Sequence, residues 1–241
     1  MRVALVTGGG SGIGRSAALE LNKIDFTVYV VGRREEELIK TSSLATNNNH
    51  KIIPIKTDIT IGSQVIALFD KIKSDHGRID LLFNNAGMGA PRVPIEDLKE
   101  EDWRKTVDVN LTGSFLCSQQ AIKLMKNQSP QGGRIVNNGS VSAHSPRPDT
   151  IAYTATKHAV NGLTKSIALD GRNFNISSTD GMSDKNVEIF ARILSFTSIT
   201  LFLIEVKFGK NPTSSSFVGN ISKKLFIFSV TISNNPSPAF T

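Results

Sequence analysis

The sequence predicts an α/β fold, a doubly wound parallel sheet with helices on both faces. Short runs rich in β-branched residues alternate with amphipathic segments of helical period through the first two thirds of the chain. The first of these runs leads directly into a glycine-rich turn. The length of 241 residues suits one compact domain, alone or with an appendage. Parallel strands of this kind end along one edge of the sheet, where ligands bind.

Strands and helices are predicted in strict alternation. Buried strands are expected at residues 3–7, 27–32, 52–57, 80–84 and 134–138. Helices are expected between and after them, at residues 13–23, 35–44, 63–75, 101–126 and 153–169.

The composition changes at about residue 173. Of the 13 phenylalanines, only Phe26, Phe69, Phe83 and Phe115 precede this point, and of the 19 glycines only Gly181, Gly209 and Gly219 follow it. We therefore divide the chain into an α/β domain at 1–172, which carries the candidate sites, and a divergent segment at 173–241 that is expected to be poorly ordered. The C-terminal part of the sheet is expected to be incomplete or irregular.

The composition also excludes several classes of site. The one cysteine, Cys117, cannot form an intrachain disulfide, and no Cys/His cluster has metal-ligand spacing, so no metal is expected. The first residues lack the pattern of a signal peptide, and the longest apolar stretch, residues 193–204, is too short to cross a membrane. We expect a cytoplasmic protein with no membrane partner.

The chain is basic, with a net charge of +7. Its lysines and arginines are scattered and interrupted by acidic stretches such as residues 96–102. No basic run interleaves with aromatic residues, so no nucleic-acid partner is expected.

The glycine-rich turn is the first candidate site. Thr7, Gly8, Ser11, Gly12, Ile13 and Gly14 follow a strand and open a helix. Glycines there let backbone amides approach a pyrophosphate, and the helix amino terminus favours the anion. Glycine clusters also make plain turns, but the strand–turn–helix setting indicates a Rossmann-like dinucleotide site.

The residues after the next two strands bear on the choice of cofactor. NAD-specific sites usually carry an acidic residue after the second strand, where this sequence has Arg33 and Arg34. Guanidinium groups match a phosphate, so the pair favours NADP over NAD, unless both arginines only solvate a loop. Asp58, after the third strand, could accept a hydrogen bond from adenine or cap the following helix.

A tyrosine and a lysine form the candidate catalytic pair. Tyr153 and Lys157 are four residues apart, so they share a helix face. A free phenol titrates near about 10, and a nearby ammonium favours the phenolate needed for proton transfer. By itself this pair could be an exposed aromatic residue beside a solvated lysine.

Two polar residues extend this pair. Ser140, just after the last predicted strand, is placed to approach the phenol, although it could be an ordinary loop serine. Asn110 lies in an apolar helix and needs a specific partner there, although it could be a satisfied core residue.

Together these residues resemble the short-chain dehydrogenase/reductase family. The matches cover residues 1–172 and comprise Thr7-Gly8-x-x-x-Gly12-x-Gly14, Asp58, Asn84-Asn85-Ala86-Gly87, Asn110, Ser140 and Tyr153-x-x-x-Lys157. After the Tyr–Lys helix, where the family has a further strand and a Pro-Gly segment, residues 173–181 give at best a faint strand and no Pro-Gly.

The resemblance implies an NADP-dependent oxidoreductase that transfers a hydride between nicotinamide and a carbonyl or alcohol substrate. By this resemblance, Tyr153 is the general acid/base and Ser140 orients the substrate oxygen. Lys157 binds the nicotinamide ribose and favours the phenolate form of Tyr153. Asn110 would position a relay water, and Asn84, Ala86 and Gly87 would line the adenine-ribose region. Homo-oligomers would pair through the helices near 110–126 and 153–169. The alternative is a catalytically impaired relative that binds the dinucleotide without efficient turnover.

Overall fold

The structure, a computed structural model, describes residues 1–180. Residues 181–241, most of the predicted divergent segment, lie outside the described residues. Six parallel strands form one sheet in the order β3-β2-β1-β4-β5-β6. The predicted doubly wound fold is confirmed. Within residues 1–180, no helix is long and apolar enough to span a membrane.

The strands lie close to their predicted positions. They are β1 (Arg2–Thr7), β2 (Phe26–Gly32), β3 (Ile52–Lys56), β4 (Leu81–Asn84), β5 (Gly133–Asn137) and β6 (Ile176–Asp180). Val3, Ala4, Leu5 and Val6 of β1 are fully buried. Such a continuous apolar run is typical of a central parallel strand covered on both faces.

Six helices cover the two faces of the sheet. They are α1 (Gly12–Lys23), α2 (Glu35–Ser43), α3 (Gly62–His76), α4 (Glu100–Val107), α5 (Gly113–Asn127) and α6 (Ile151–Gly171). Right-handed crossovers place α1 and α2 on one face and α3, α5 and α6 on the other. On the second face a single apolar core joins Leu5, Leu82 and Ile135 of the sheet to Ile72, Met125 and Ile167 of the helices.

The predicted helix at 101–126 is divided by a π-helical turn. The π turn, Asp108–Thr112, lies between α4 and α5. Asn110 is buried in this turn and hydrogen-bonds the backbone of Met88 beyond β4. Helical periodicity continues across one widened turn, so the apolar pattern alone does not reveal the break.

The sixth strand is better formed than the sequence indicates. β6 pairs in parallel with β5, from Gly133↔Ile176 to Asn137↔Asp180. Its Ser-Ser-Thr centre gives little apolar alternation, which explains the faint signal. Backbone pairing with β5 and the packing of Ile176 and Phe174 into the core fix it in place.

Buried amides tie β4, β5 and the helices together. Asn84 Nδ2 donates to Asn137 Oδ1 and to Ser118 Oγ, each at 2.9 Å. Asn137 Nδ2 donates in turn to Thr164 Oγ1 of α6 at 2.9 Å. Asn84 and Asn137 are at most 3% exposed, so these hydrogen bonds replace contacts to water that the amides lose on folding.

We expect Asn137→Ala to lower the free energy of unfolding by about 2 kcal/mol, because it removes the buried hydrogen bonds to Asn84 of β4 and Thr164 of α6. Urea denaturation measures the change. The matched control is Asn127→Ala, an exposed asparagine whose amide bonds only the Lys123 carbonyl of its own helix. Equal stability losses in the two variants would contradict a special role for the buried network.

Candidate active site

The glycine-rich loop crosses the carboxyl end of β1 in a conformation that requires glycine. Gly8 and Gly12 have φ values of +65° and +52°, in the left-handed region. A Cβ on Gly14 would lie 2.3 Å from the Gly8 carbonyl oxygen, so α1 packs directly on the loop. The sequence spacing of these glycines therefore reflects a close fit between the loop and α1.

The amino terminus of α1 is open to a ligand. Ser11 occupies the N-cap position and makes no side-chain capping bond, so the first amides of α1 lack a side-chain acceptor. Ser11 and Gly12 are exposed, and Ile13 is half-buried. Exposed amides at a helix amino terminus are suited to bind an anion, and the anion site expected here from the sequence stays a prediction.

Thr7 and Asn85 join this loop to the end of β4. The buried Thr7 hydroxyl accepts hydrogen bonds from the backbone amides of Asn85 and Ala86, at 3.0 and 2.9 Å. Asn85 Nδ2 donates back to the Thr7 carbonyl at 3.0 Å. Thr7 and Asn84 are buried and hold the loop and β4 together. Ala86 is half-buried and Gly87 is exposed, and both lie beside the loop.

Arg33 and Arg34 lie after β2 beside the glycine-rich loop. Arg34 Nη2 donates to Ser11 Oγ at 3.3 Å, which places one guanidinium next to the open end of α1. Arg33 is exposed and has no ion pair within residues 1–180. Arg15 differs from both, because it pairs with Glu37 at 2.5 Å and bonds the Gly10 carbonyl.

Asp58 closes a turn after β3. Its Oδ1 accepts hydrogen bonds from the Thr60 amide at 3.0 Å and the Thr60 hydroxyl at 2.8 Å. The N-cap position of α3 is Ile61, so Asp58 is not the cap of that helix. Its other carboxylate oxygen makes no hydrogen bond within the described part of the chain, and the predicted adenine contact stays a prediction.

Tyr153 and Lys157 share one face of α6. Lys157 Nζ lies 5.5 Å from the centroid of the Tyr153 ring. Tyr153 is half-buried, and its hydroxyl has no hydrogen-bond partner within residues 1–180. The phenol is therefore available to a substrate while an amine lies close to its ring.

Within residues 1–180, Lys157 is the one lysine, arginine or histidine whose side chain is buried. It is 5% exposed, and burial lowers the pKa of its ammonium to about 8. Its Nζ donates to the Asn138 carbonyl at 2.7 Å. This bond fixes the position of the amine at the end of β5.

Asn138 and Asn85 connect the lysine to the glycine-rich loop. Asn138 Nδ2 donates to Asn85 Oδ1 at 3.2 Å, and Asn85 Nδ2 reaches the Thr7 carbonyl. A continuous path of hydrogen bonds therefore runs from Lys157 to the loop after β1. These hydrogen bonds hold Lys157 and the glycine-rich loop at the same edge of the sheet.

Ser140 begins the connection from β5 to α6. Its Oγ accepts a hydrogen bond from the Ser142 amide at 3.1 Å. The hydroxyl proton therefore stays available for donation to a substrate oxygen.

Asn110 is tethered on three sides. Its Nδ2 donates to the Met88 carbonyl at 2.9 Å and to Thr156 Oγ1 at 3.1 Å, and its Oδ1 accepts from the Met88 amide at 2.8 Å. Only a second lone pair of Oδ1 remains for the predicted relay water. In this geometry Asn110 positions the residue that precedes Lys157, because Thr156 is its neighbour in α6.

The sequence prediction missed Asn138 and Thr156 as site residues, whereas Asn85 lies within the predicted segment 84–87. One signal could have found Asn138: an Asn-Asn pair ends each of two adjacent strands, at 84–85 and 137–138. Successive strand residues point to opposite sides, so each pair supplies one amide to the core and one to the site.

These residues fit a nicotinamide dinucleotide. An open helix terminus and the nearby arginines suit its phosphates, and a half-buried phenol beside a buried amine suits proton transfer at its reacting end. No cluster of three metal-ligating side chains occurs within residues 1–180.

Comparison with known proteins shows the family. The model of the family described as short chain dehydrogenase matches residues 2–179. The chain therefore belongs to the short chain dehydrogenase family, and the resemblance predicted from the sequence is confirmed.

Three relatives illustrate the similarity. A 3beta-hydroxysteroid dehydrogenase from Mediterraneibacter gnavus is 39% identical over 169 residues, covering 70% of this chain and 60% of the relative. The crystal structure of acetoin dehydrogenase from Enterobacter cloacae is 37% identical with a TM-score of 0.69, covering 74% of this chain and 71% of that one. The structure of NAD⁺-bound xylitol dehydrogenase is 31% identical with a TM-score of 0.71, covering 74% and 68%. The chain spans between 60% and 66% of the length of the curated relatives it matches.

The buried Lys157 predicts a specific pH dependence of stability. Its folded pKa of about 8 lies below the unfolded value of 10.5, so folding disfavours the ammonium. The resulting cost is fully present below pH 8 and disappears as the pH rises from about 8 to about 10.5. The wild-type protein should therefore gain stability over this window relative to Lys157→Met. Urea denaturation of both cofactor-free proteins at pH 7 and pH 10 measures the difference, and a stability gap that is the same at both pH values would contradict the account.

Proposed function

We propose that the protein is an NADP-dependent oxidoreductase acting on a carbonyl/alcohol pair. The observation that carries this proposal is the hydrogen-bonded path from Lys157 through Asn138 and Asn85 to the glycine-rich loop. It joins a proton-transfer pair to a phosphate-binding helix terminus, as a dehydrogenase requires. Family membership and relatives named as dehydrogenases support the same reaction type.

Tyr153 acts as the general acid in the direction of reduction. When bound, the nicotinamide would supply the hydride for the carbonyl carbon. The Tyr153 hydroxyl gives its proton to the substrate oxygen, and in the direction of oxidation the phenolate takes that proton back. Ser140, whose proton is free, donates a hydrogen bond to the same oxygen and orients it.

Lys157 supports the phenolate through its charge. The negative charge of a bound dinucleotide would favour the ammonium form of this buried amine. Asn138 holds Nζ in place, and the bond from Asn110 to Thr156 fixes the adjoining turn of α6. Asn110 is in this sense a positioning residue.

Arg33 and Arg34 favour the 2′-phosphate of NADP. The position after β2 carries two guanidinium groups and no acidic side chain until Glu35 opens α2. Arg34 already reaches the glycine-rich loop through Ser11, and Arg33 is free to pair with a phosphate. Recognition of NADP rather than NAD rests on these two residues.

Pairing of two copies through α5 and α6 is also part of the proposal. Phe115 is 46% exposed on α5, and Leu169 is 63% exposed on α6.

Cys117 is unpaired and buried, and burial raises the pKa of its thiol to about 12. An inert core thiol of this kind suits a reducing compartment such as the cytoplasm.

Tyr153→Phe should lower turnover by about 10²- to 10⁴-fold, because it removes the proton donor and leaves the ring in place. Binding of NADPH, followed by fluorescence titration, should change little. The matched control is Tyr29→Phe, the other tyrosine of the chain, whose hydroxyl bonds Asp75 away from the site. Turnover by the Tyr153 variant at the wild-type rate would refute the role of the phenol.

Arg33→Asp should weaken NADPH binding about 10- to 100-fold, because it removes a charged hydrogen bond and adds a repulsive carboxylate. NADH binding should be unchanged or tighter. Arg172→Asp makes the same charge change at an exposed residue after α6 and should alter neither titration. An unchanged ratio of NADPH to NADH affinity in the Arg33 variant would count against phosphate recognition.

A further inference from the structure

Arg15 of α1 is bonded to the glycine-rich loop and to α2 at the same time. Its Nη2 donates to the Gly10 carbonyl and to Glu37 Oε2, the latter at 2.5 Å. Its Nε donates to Thr41 Oγ1 at 3.0 Å. One guanidinium therefore joins α1, the loop and α2 next to the open end of α1.

Thr41 extends this contact to the neighbouring glycine of the loop. It is fully buried, and its Oγ1 donates to the Gly9 carbonyl at 2.9 Å. α2 also packs directly on the loop, since a Cβ on Gly10 would lie 3.0 Å from the Cβ of Glu37. Two successive loop carbonyls are thus held by side chains, so the course of the loop depends on this cluster.

The carboxylate of Glu37 lies close to the arginines proposed to bind the 2′-phosphate. Three glutamates, residues 35–37, form the first turn of α2, and Glu37 is the one that is partly buried against the loop. The hydrogen bond from Arg15 lowers the pKa of the Glu37 carboxyl. The positive charge of Arg34 lowers it as well, so this carboxylate and the Arg34 guanidinium interact electrostatically.

An unpaired carboxylate at this place would act against a 2′-phosphate in two ways. It would repel the phosphate, and it would compete with the phosphate for the Arg34 guanidinium. The same carboxylate could accept hydrogen bonds from the ribose hydroxyls of NAD, which is the usual role of an acidic residue near the end of the second strand. The ion pair with Arg15 offsets the charge of Glu37 and occupies its oxygen.

We propose that Arg15 is a positioning residue for cofactor selection: it holds Glu37 in an ion pair, so that Arg33 and Arg34 remain available to the 2′-phosphate. The inference rests on the proposed function, because it requires that the two arginines bind this phosphate. Arg15 acts through Glu37 and does not itself contact the phosphate. Cofactor preference therefore depends on a pair between α1 and α2 as well as on the residues after β2.

The test measures the affinities of the full chain for NADPH and for NADH by isothermal titration calorimetry, with no substrate present. Arg15→Gln should lower the ratio of NADPH to NADH affinity about five- to tenfold, because it leaves Glu37 as an unpaired, partly exposed carboxylate. Adding Glu37→Gln to this variant should return the ratio to within about twofold of the wild-type value. A loop that is merely distorted would weaken both dinucleotides, and the second substitution would not restore the ratio.

Two further variants keep the fold close to that of the wild-type protein. Arg15→Lys retains the charge and should retain most of the NADPH preference. Glu37→Asp withdraws the carboxylate from Arg15 by about one methylene and should lower the ratio, since the bonds of Arg15 to Gly10 and Thr41 are untouched. It decides the inference if Arg15→Gln does not fold, which circular dichroism reveals.

The matched control is Arg78→Gln, which breaks a similarly buried ion pair with Asp80 ahead of β4. It should leave the ratio of the two affinities unchanged. An unchanged ratio in Arg15→Gln or Glu37→Asp, or a loss that Glu37→Gln does not restore, would overturn the inference and leave the proposed function intact. A wild-type protein that binds NADPH no more tightly than NADH would instead refute the proposed NADP preference, and the inference with it.

Discussion

The hydrogen bonds of two asparagine pairs at the carboxyl ends of β4 and β5 are the constraint on which the rest of the site depends. Parallel strands end with backbone groups that have no neighbour in the sheet, and a ligand site at that edge needs them fixed. Asn84 and Asn137 turn inward and bind each other, α5 and α6. Asn85 and Asn138 bind each other at the edge, where one reaches the glycine-rich loop and the other holds Lys157 through its carbonyl.

These hydrogen bonds explain how the fold accommodates the buried amine of Lys157. A lysine that is 5% exposed is unfavourable in its charged form, and the sheet edge offers it one backbone carbonyl. The free energy of unfolding that is lost by burying Lys157 is compensated by the apolar core on this face of the sheet. That core includes residues of α3, α5 and α6.

The sequence predicted the fold well because its strongest signals are local. The fully apolar β1, the glycine-rich turn and the helical periods of α1 and α3 each follow from neighbouring residues. It predicted β6 poorly, because Ser177, Ser178 and Thr179 are held by pairing with β5 and not by an apolar pattern of their own. The π turn at Asn110 was also hidden, since helical periodicity continues across it, and the bond of Asn110 to Met88, 22 residues away, cannot be read from local pattern.

The site residues also fall into two groups, those predicted from local spacing and those whose roles depend on contacts between distant segments. Tyr153, Lys157 and the glycines were predicted because their spacing is a property of one helix or one turn. Asn138 and Thr156 were not, because their roles arise where α6 meets the end of β5 and the π turn. The sequence left two roles open for Asp58, a hydrogen bond to adenine and the cap of the following helix. The N-cap of α3 is Ile61, which excludes the second role.

The most direct measurement of the central claim follows an isotope. The full chain is incubated with NADPH deuterated at the transferring position of the nicotinamide and with a ketone that it reduces, and the alcohol is analysed by mass spectrometry. The account predicts an alcohol that carries one deuterium on the carbinol carbon in the wild-type protein and almost none formed by Tyr153→Phe. An alcohol without deuterium, or equal formation of labelled alcohol by both proteins, would contradict it.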